Sequence, residues 1–270
     1  MNNFQAVMLG LIQGIAEAFP ISSSAHLRLY KFFFNVENSP FIFDILLHIA
    51  TLVSICIIFR KKIIELIFSF FHYTTRKVQE NDTKNMNLIL TMIIATIITA
   101  IVGFSLKDFT KNLKIGKDII GIVAIIIGFV ITSTMLFASK KLRIKKKPNI
   151  LITSILLGLF QGIAVLPGIS RSGMTISILL ILNFLEEEAC QTSFILSIPS
   201  VLGALLLELR KSALDIQSIG TTPLALGMLV AFVTSLVSFS ILLVIIKNKK
   251  FYLFAFYLLP LAIILSGAMS

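Results

Sequence analysis

Charge is scarce in this 270-residue sequence: only 14% of its residues are Asp, Glu, Lys or Arg, against about a quarter in soluble domains. With 57% hydrophobic residues and a mean hydropathy of +0.97, the chain has too little polar surface to wrap a soluble core. Polar faces are missing as well. Whole stretches of about twenty residues are apolar all round, which only lipid or a bundle interior accepts. Cysteine is nearly absent, and Cys56 and Cys190 each sit inside a hydrophobic run. They read as small buried side chains, which argues against a disulfide framework or a cysteine metal site. The first residues, Met1 to Phe4, lack a basic segment followed by a small-residue cleavage site, so no removable signal peptide is expected. The net charge of +11 does not indicate nucleic acid, because the cations lie in short clusters between apolar segments without interleaved aromatic residues.

What is present is a series of membrane-length segments. Six stretches, roughly 41–59, 86–106, 118–138, 190–208, 223–246 and 251–268, are long enough to cross a hydrocarbon core of about 30 Å. Two further apolar regions, 4–33 and 150–184, are broken by Pro, Gly and runs of Ser and read as re-entrant helical hairpins. The expected fold class is an all-α integral membrane protein, a single membrane domain over residues 1–270 with about six transmembrane helices and two hairpins. Loops 60–85, 139–149 and 247–250 hold fifteen of the 24 Lys and Arg residues, while the alternate loops hold seven, among them Lys31, Lys114 and Lys117. Cytoplasmic loops collect cations, so the first set is expected inside the cell and both termini outside. The two hairpins then enter from opposite faces and meet near the midplane.

The broken regions repeat one another. At an offset of 148, Gln13-Gly14-Ile15-Ala16 falls on Gln161-Gly162-Ile163-Ala164, and Ile21-Ser22-Ser23-Ser24 falls on Ile169-Ser170-Arg171-Ser172. Such a repeat with opposite entry directions is the signature of an inverted-topology duplication, here approximately 1–138 and 150–270. Where the first copy has Glu17, Ser23 and His26, the second has Val165, Arg171 and Met174. One half thus supplies a carboxylate, a hydroxyl and an imidazole, and the other a guanidinium, as for one composite site.

Spacing supports that site. Gln13 and Glu17, at i,i+4, share a helix face, and Ser23 and His26, at i,i+3, share a face of the next half-helix near its positive end. The stretch Pro167 to Gly173 opens a helix with free N–H groups, small residues and the fixed charge of Arg171, which suits phosphate; Thr175 adds a hydroxyl one turn on. An ionisable group inside the membrane costs about 2.5–3.5 kcal/mol or more for Arg or Asp at a helix centre. Glu17, His26 and Arg171 therefore read as functional, with a purely structural Glu17–Arg171 ion pair as the plain alternative. Asp44 and His48, at i,i+4, read as a supporting pair, and Glu186-Glu187-Glu188 as a solvated acidic turn.

The segment running from Gln13 through Glu17, Pro20 and Ser23 to His26 resembles the (E/Q)xxxE-x-x-P-x-S-S-x-x-H signature of the undecaprenyl-diphosphatase family associated with bacitracin resistance. Pro167-Gly168-Ile169-Ser170-Arg171-Ser172-Gly173-Met174-Thr175 resembles that family's PGxSRSxxT signature, and the likeness covers essentially the whole chain. It implies hydrolysis of undecaprenyl diphosphate to undecaprenyl phosphate and inorganic phosphate. That reaction recycles the lipid carrier of peptidoglycan and other cell-wall glycans and confers bacitracin resistance. It further implies a multi-pass protein of the bacterial inner membrane, a site facing the periplasm, and stimulation by a divalent cation, Mg²⁺ or Ca²⁺.

On the matched positions, Glu17, Ser23, His26 and Arg171 are expected to be catalytic, and Gln13, Ser170, Arg171, Ser172 and Thr175 to bind the substrate phosphates. Glu17 would also help to hold the cation. Gln13 stands where many relatives carry a glutamate, which weakens a mechanism that needs two carboxylates there. The attacking group is left open among Ser23, His26 and water. The expected partners are a polyprenyl diphosphate and membrane lipids, with no nucleic acid, and a homodimer stays open. The competing reading is a lipid-carrier flippase or transporter on the same inverted-repeat scaffold.

Overall fold

The computed structural model describes residues 1–36, 40–112, 119–212 and 219–268; Lys114 and Lys117 of the expected outer loops lie outside the described residues. The chain runs α1 (Asn3–Ala18), α2 (Ser23–Phe33), α3 (Phe41–Ile58), α4 (Arg60–Thr74), α5 (Asp82–Asn112) and α6 (Ile119–Lys141). It continues with α7 (Ile150–Ile163), α8 (Arg171–Ile181), α9 (Glu186–Ser212), α10 (Thr221–Lys247), a 3₁₀ turn (Phe251–Phe254) and α11 (Ala255–Gly267). No strand occurs among the described residues.

Each broken region is a pair of short helices. α1 starts at a capping box, in which the Asn2 side chain accepts from the Gln5 N–H at 2.8 Å and Gln5 Oε1 accepts from the Asn2 N–H at 3.1 Å. It ends at Phe19, held extended ahead of Pro20, which has no N–H to continue the ladder. In the second region α7 is capped by Asn149, and the turn to α8 passes through Gly168 at φ 81°. A Cβ there would lie 2.2 Å from the Ile125 carbonyl oxygen, so only glycine lets the turn settle against α6. Thr132 of α6 anchors the far side of this turn by accepting the Ser170 N–H at 3.0 Å.

By length and composition, Asp82–Leu106, Ile119–Lys141 and Thr221–Lys247 can each cross a bilayer, and α3 with α4 makes a fourth span if the bent pair is counted as one. The expected span 41–59 does not end in a loop. Its helix turns by 77° at Phe59 and continues as α4, because Arg60-Lys61-Lys62 cannot stay in hydrocarbon although the residues beyond keep helical propensity. α4 leaves Ile64, Ile67, Phe68, Phe70 and Phe71 exposed. The expected span 190–208 lies in α9, which carries Pro199 inside it, and 251–268 is the 3₁₀ turn plus the thirteen residues of α11. The three basic segments meet at one end of the bundle. There the first turn of α9 binds them: Glu186 to Arg143 (2.6 Å), Glu187 to Lys247 (3.1 Å), and Glu188 to both Lys84 (3.1 Å) and Lys147 (2.9 Å). The acidic turn is thus an anchor for cations as well as a favourable charge at a helix N-terminus.

The hairpins are held by helix pairs that approach very closely. α1 lies along α10 and α7 along α5. Gly10 and Gly14 of α1 face α10, where an added Cβ would come within 2.3 Å of the Gly227 carbonyl oxygen and 1.9 Å of Thr234 Oγ1. Gly158 and Gly162 of α7 do the same on α5, at 2.7 Å from the Ala95 carbonyl oxygen and 2.6 Å from Val102 Cβ. Between helices already in lipid, such contact replaces the hydrophobic drive that water provides elsewhere. Gly10→Ala is therefore expected to destabilise the protein by about 1–3 kcal/mol, read as a lower unfolding temperature in detergent. Gly203→Ala, whose added Cβ meets no heavy atom within 4 Å among the described residues, is expected not to lower that temperature.

Candidate active site

The junction of the two hairpins places a carboxylate at its centre. Glu17, on the last turn of α1, is 6% exposed. Its Oε2 accepts from Ser23 Oγ of α2 at 2.8 Å and from Gln13 Nε2 at 3.1 Å, and lies 3.1 Å from His48 Nδ1 of α3. Its Oε1 pairs with Arg171 Nη2 on the first turn of α8. A carboxylate this buried is tolerable only with a counter-charge and donors on both oxygens, and it has them.

Beside this cluster is a cavity of about 230 Å³. One wall carries Glu17, Ser22, Ser23, Ser24, Arg28 and His48, and the other carries Ser170, Arg171 and Ser172 with Ala164, Val165 and Ile169. Two helices begin at its walls, α2 at Ser23 and α8 at Arg171, so the positive ends of two helix dipoles are brought to one small space. Ser22, left-handed at φ 71°, makes no side-chain cap on α2, whereas Ser170 Oγ caps α8 by accepting the Gly173 N–H at 3.1 Å. The arrangement suits a compact anion.

The structure therefore brings Glu17, Ser23, Ser170, Arg171 and Ser172 around one cavity, and sets Gln13 behind Glu17, where its Nε2 also lies 2.8 Å from His48 Nδ1. Two expected residues point elsewhere. Thr175 is fully buried, donating to the Arg171 carbonyl at 2.8 Å and lying 2.5 Å from Ser193 Oγ. His26 turns back on its own helix, with Nδ1 2.9 Å from the Ser22 carbonyl oxygen and Nε2 2.8 Å from the Tyr257 hydroxyl of α11, so it is not bonded to Ser23. The Asp44–His48 pair is also absent: Lys31 holds both Asp44 oxygens at 2.7 Å, which leaves His48 to Glu17.

Sequence reasoning assigned no functional role to Arg28, Ser22 or Ser24, which also line the cavity. The signal for Arg28 was available, as an arginine inside an apolar hairpin. Among the described residues no three His, Cys, Asp or Glu side chains gather as a cation site. With both Glu17 oxygens engaged by Arg171, Ser23 and Gln13, the residues present do not fit a protein-held divalent cation.

A helical bundle with an ion-paired polar cavity between two pairs of broken helices defines a multi-pass membrane protein with a site built inside the bundle. The chain belongs to the family described as Bacitracin resistance protein BacA, which matches residues 6–264. It is 43% identical over 270 residues to the undecaprenyl-diphosphatase of Treponema denticola, covering 98% of this chain and 97% of that one. The undecaprenyl-diphosphatase of Borrelia recurrentis is 37% identical over 262 residues, with 95% of each chain covered, and that of Carboxydothermus hydrogenoformans is 35% identical over 260, with 95% and 94% covered.

The ion pair has a stability consequence. Arg171→Ala leaves the Glu17 carboxylate buried without its counter-charge and is expected to cost about 3–5 kcal/mol. Adding Glu17→Gln is expected to recover part of that loss. Thermal unfolding of the two single variants and the double variant in detergent checks the coupling.

Proposed function

We propose that this protein hydrolyses undecaprenyl diphosphate to undecaprenyl phosphate and inorganic phosphate, and so recycles the lipid carrier of cell-wall glycans and confers bacitracin resistance. The observation that carries the chemistry is Ser23 Oγ bonded to Glu17 at 2.8 Å, on the wall of a cavity that also holds Arg171. In this reading Arg171 turns from Glu17 to the terminal phosphate, with the hydroxyls of Ser170 and Ser172 beside it. The freed carboxylate takes the Ser23 proton as Oγ attacks the terminal phosphorus. The bond to the lipid-linked phosphate breaks, and undecaprenyl phosphate leaves with the displaced electron pair. The departing phosphate takes the proton from Glu17, and the restored carboxylate deprotonates a water that attacks the phosphoserine. The Ser23 oxygen leaves with the P–O electron pair and recovers that proton as inorganic phosphate is released. Arg171 and the two helix N-termini supply the electrostatic stabilisation on which phosphoryl transfer depends. Gln13 and His48 hold Glu17 in place, and His26 braces α2 against α11.

The topology belongs to the same proposal. Six spans and two re-entrant hairpins form an inverted repeat, with the basic loops in the cytoplasm, both termini outside, and the cavity opening to the periplasmic side of the inner membrane. Reciprocal packing supports it: α1 lies on α10 as α7 lies on α5, while α3 meets α9 and α6 meets α11. The residues of the cavity do not fit the divalent cation that the family resemblance implied, and no step here depends on one. The flippase reading gains nothing from relatives that are named as diphosphatases.

Purified protein in detergent, given a long-chain polyprenyl diphosphate, is expected to release phosphate. Ser23→Ala and Glu17→Gln are each expected to lower kcat at least about 100-fold. An acid quench during turnover is expected to trap acid-stable phosphate on Ser23. Acid-labile phosphate on His26 would instead make the imidazole the nucleophile, and a wild type that releases no phosphate would favour transport.

A further inference from the structure

Arg28 sits on α2, five residues after Ser23, and its half-buried side chain forms part of the wall of the cavity that holds Glu17 and Arg171. The two arginines differ in what they are bonded to. Arg171 is engaged by Glu17, whereas among the described residues the Arg28 guanidinium has neither a hydrogen bond nor an ion pair. The carboxylate whose charge acts on it, Asp44, is gripped through both oxygens by Lys31 at 2.7 Å and is not bonded to Arg28. A half-buried guanidinium whose donors meet no protein partner among the described residues is available to a ligand, and an arginine inside a membrane protein is functional by default. The cavity it faces holds more positive than negative charge and several hydroxyls, which selects an anion with two charged centres.

We propose that Arg28 is a second phosphate-binding arginine of this site, which takes the lipid-linked phosphate of the diphosphate while Arg171 takes the phosphate that is transferred. The proposal rests on the phosphatase reading for the identity of the substrate. Because Ser23 and Arg171 both contact Glu17, they mark the transfer end of the cavity, and Arg28, about 7 Å further along α2 by helical rise, is assigned to the lipid-linked phosphate. Arg28 is then a specificity residue. A diphosphate engages both guanidinium groups at once, whereas each product, a lipid monophosphate or inorganic phosphate, engages only one, so the substrate binds more tightly than what it becomes. The planar fork of arginine suits two oxygens of one phosphate, and lysine supplies the charge without the fork.

The test uses the full chain in detergent with Arg28→Gln and Arg28→Lys. The quantities measured are kcat and KM for a long-chain polyprenyl diphosphate, and inhibition by methylenediphosphonate and by inorganic phosphate. Arg28→Gln is expected to raise KM and the methylenediphosphonate inhibition constant at least about tenfold, the low end for hydrogen bonds to a charged group. The change in kcat and in inhibition by inorganic phosphate is expected to be smaller than that. Arg28→Lys is expected to recover part of the affinity. Unchanged KM and diphosphonate inhibition in Arg28→Gln would overturn the proposal, as would equal weakening of diphosphonate and inorganic phosphate. If Arg28→Gln does not stay folded, Arg28→Lys decides, and an unaltered diphosphonate constant there counts against it.

Failure of the phosphatase reading shows separately, as a wild type that releases no phosphate. In that event, protection of the wild type from thermal unfolding by methylenediphosphonate, lost in Arg28→Gln, still supports the arginine's role. Equal protection of both refutes it.

Discussion

The pairing of Glu17 with Arg171 is the contact on which the rest of this molecule depends. Neither charge can lie alone in an apolar bundle, and the two come from segments 154 residues apart, so their meeting fixes the ends of two hairpins against each other. Everything else at the site follows from where that carboxylate stands. Ser23, Gln13 and His48 occupy its second oxygen, and the start of α8, which carries Arg171, brings Ser170 and Ser172 to the cavity wall. An ion pair of this kind contributes modestly to net stability, yet it is expensive to break, which makes it better suited to specifying one geometry than to holding a fold together.

The burden of holding falls on close helix pairs. Short half-helices such as α1 and α7 cannot span a bilayer and leave unpaired backbone groups at their ends, so they need long partners that touch them backbone to backbone. Glycines at Gly10 and Gly14, and again at Gly158 and Gly162, make that contact with α10 and α5. The paired construction also explains why unwound segments near Pro20 and Pro167-Gly168 persist, because they lie against protein and a polar cavity rather than against lipid.

The two halves start from the same residues and use them differently. Gln13 and Gln161 occupy equivalent positions, both fully buried or nearly so. Gln13 reaches the Glu17 carboxylate and His48, while Gln161, with Val165 where Glu17 would be, binds Thr99 and Ser200 and so ties α7 to α5 and α9. One copy of the amide serves the cavity and the other serves packing. The difference comes from the single charged neighbour four residues on.

Much of this was legible in the sequence. The membrane class, the two breaks at Pro20 and Pro167, and the pairing of a carboxylate from one broken region with an arginine from the other all follow from hydropathy and spacing, because lipid punishes every stray polar group and so makes each one informative. What spacing could not decide is where a side chain turns within its reach. Ser23 and His26 share a face by count, but His26 is drawn to its own helix's carbonyl and to Tyr257, 231 residues away, while Ser23 goes to Glu17. Asp44 and His48 look like partners one turn apart until Lys31 takes the aspartate. The turn at Phe59, and the Arg28 guanidinium that meets no partner among the described residues, likewise depend on which distant groups are near and which are already engaged. Local sequence determined which groups had to be sheltered from lipid; only the tertiary structure decided which of them shelter one another.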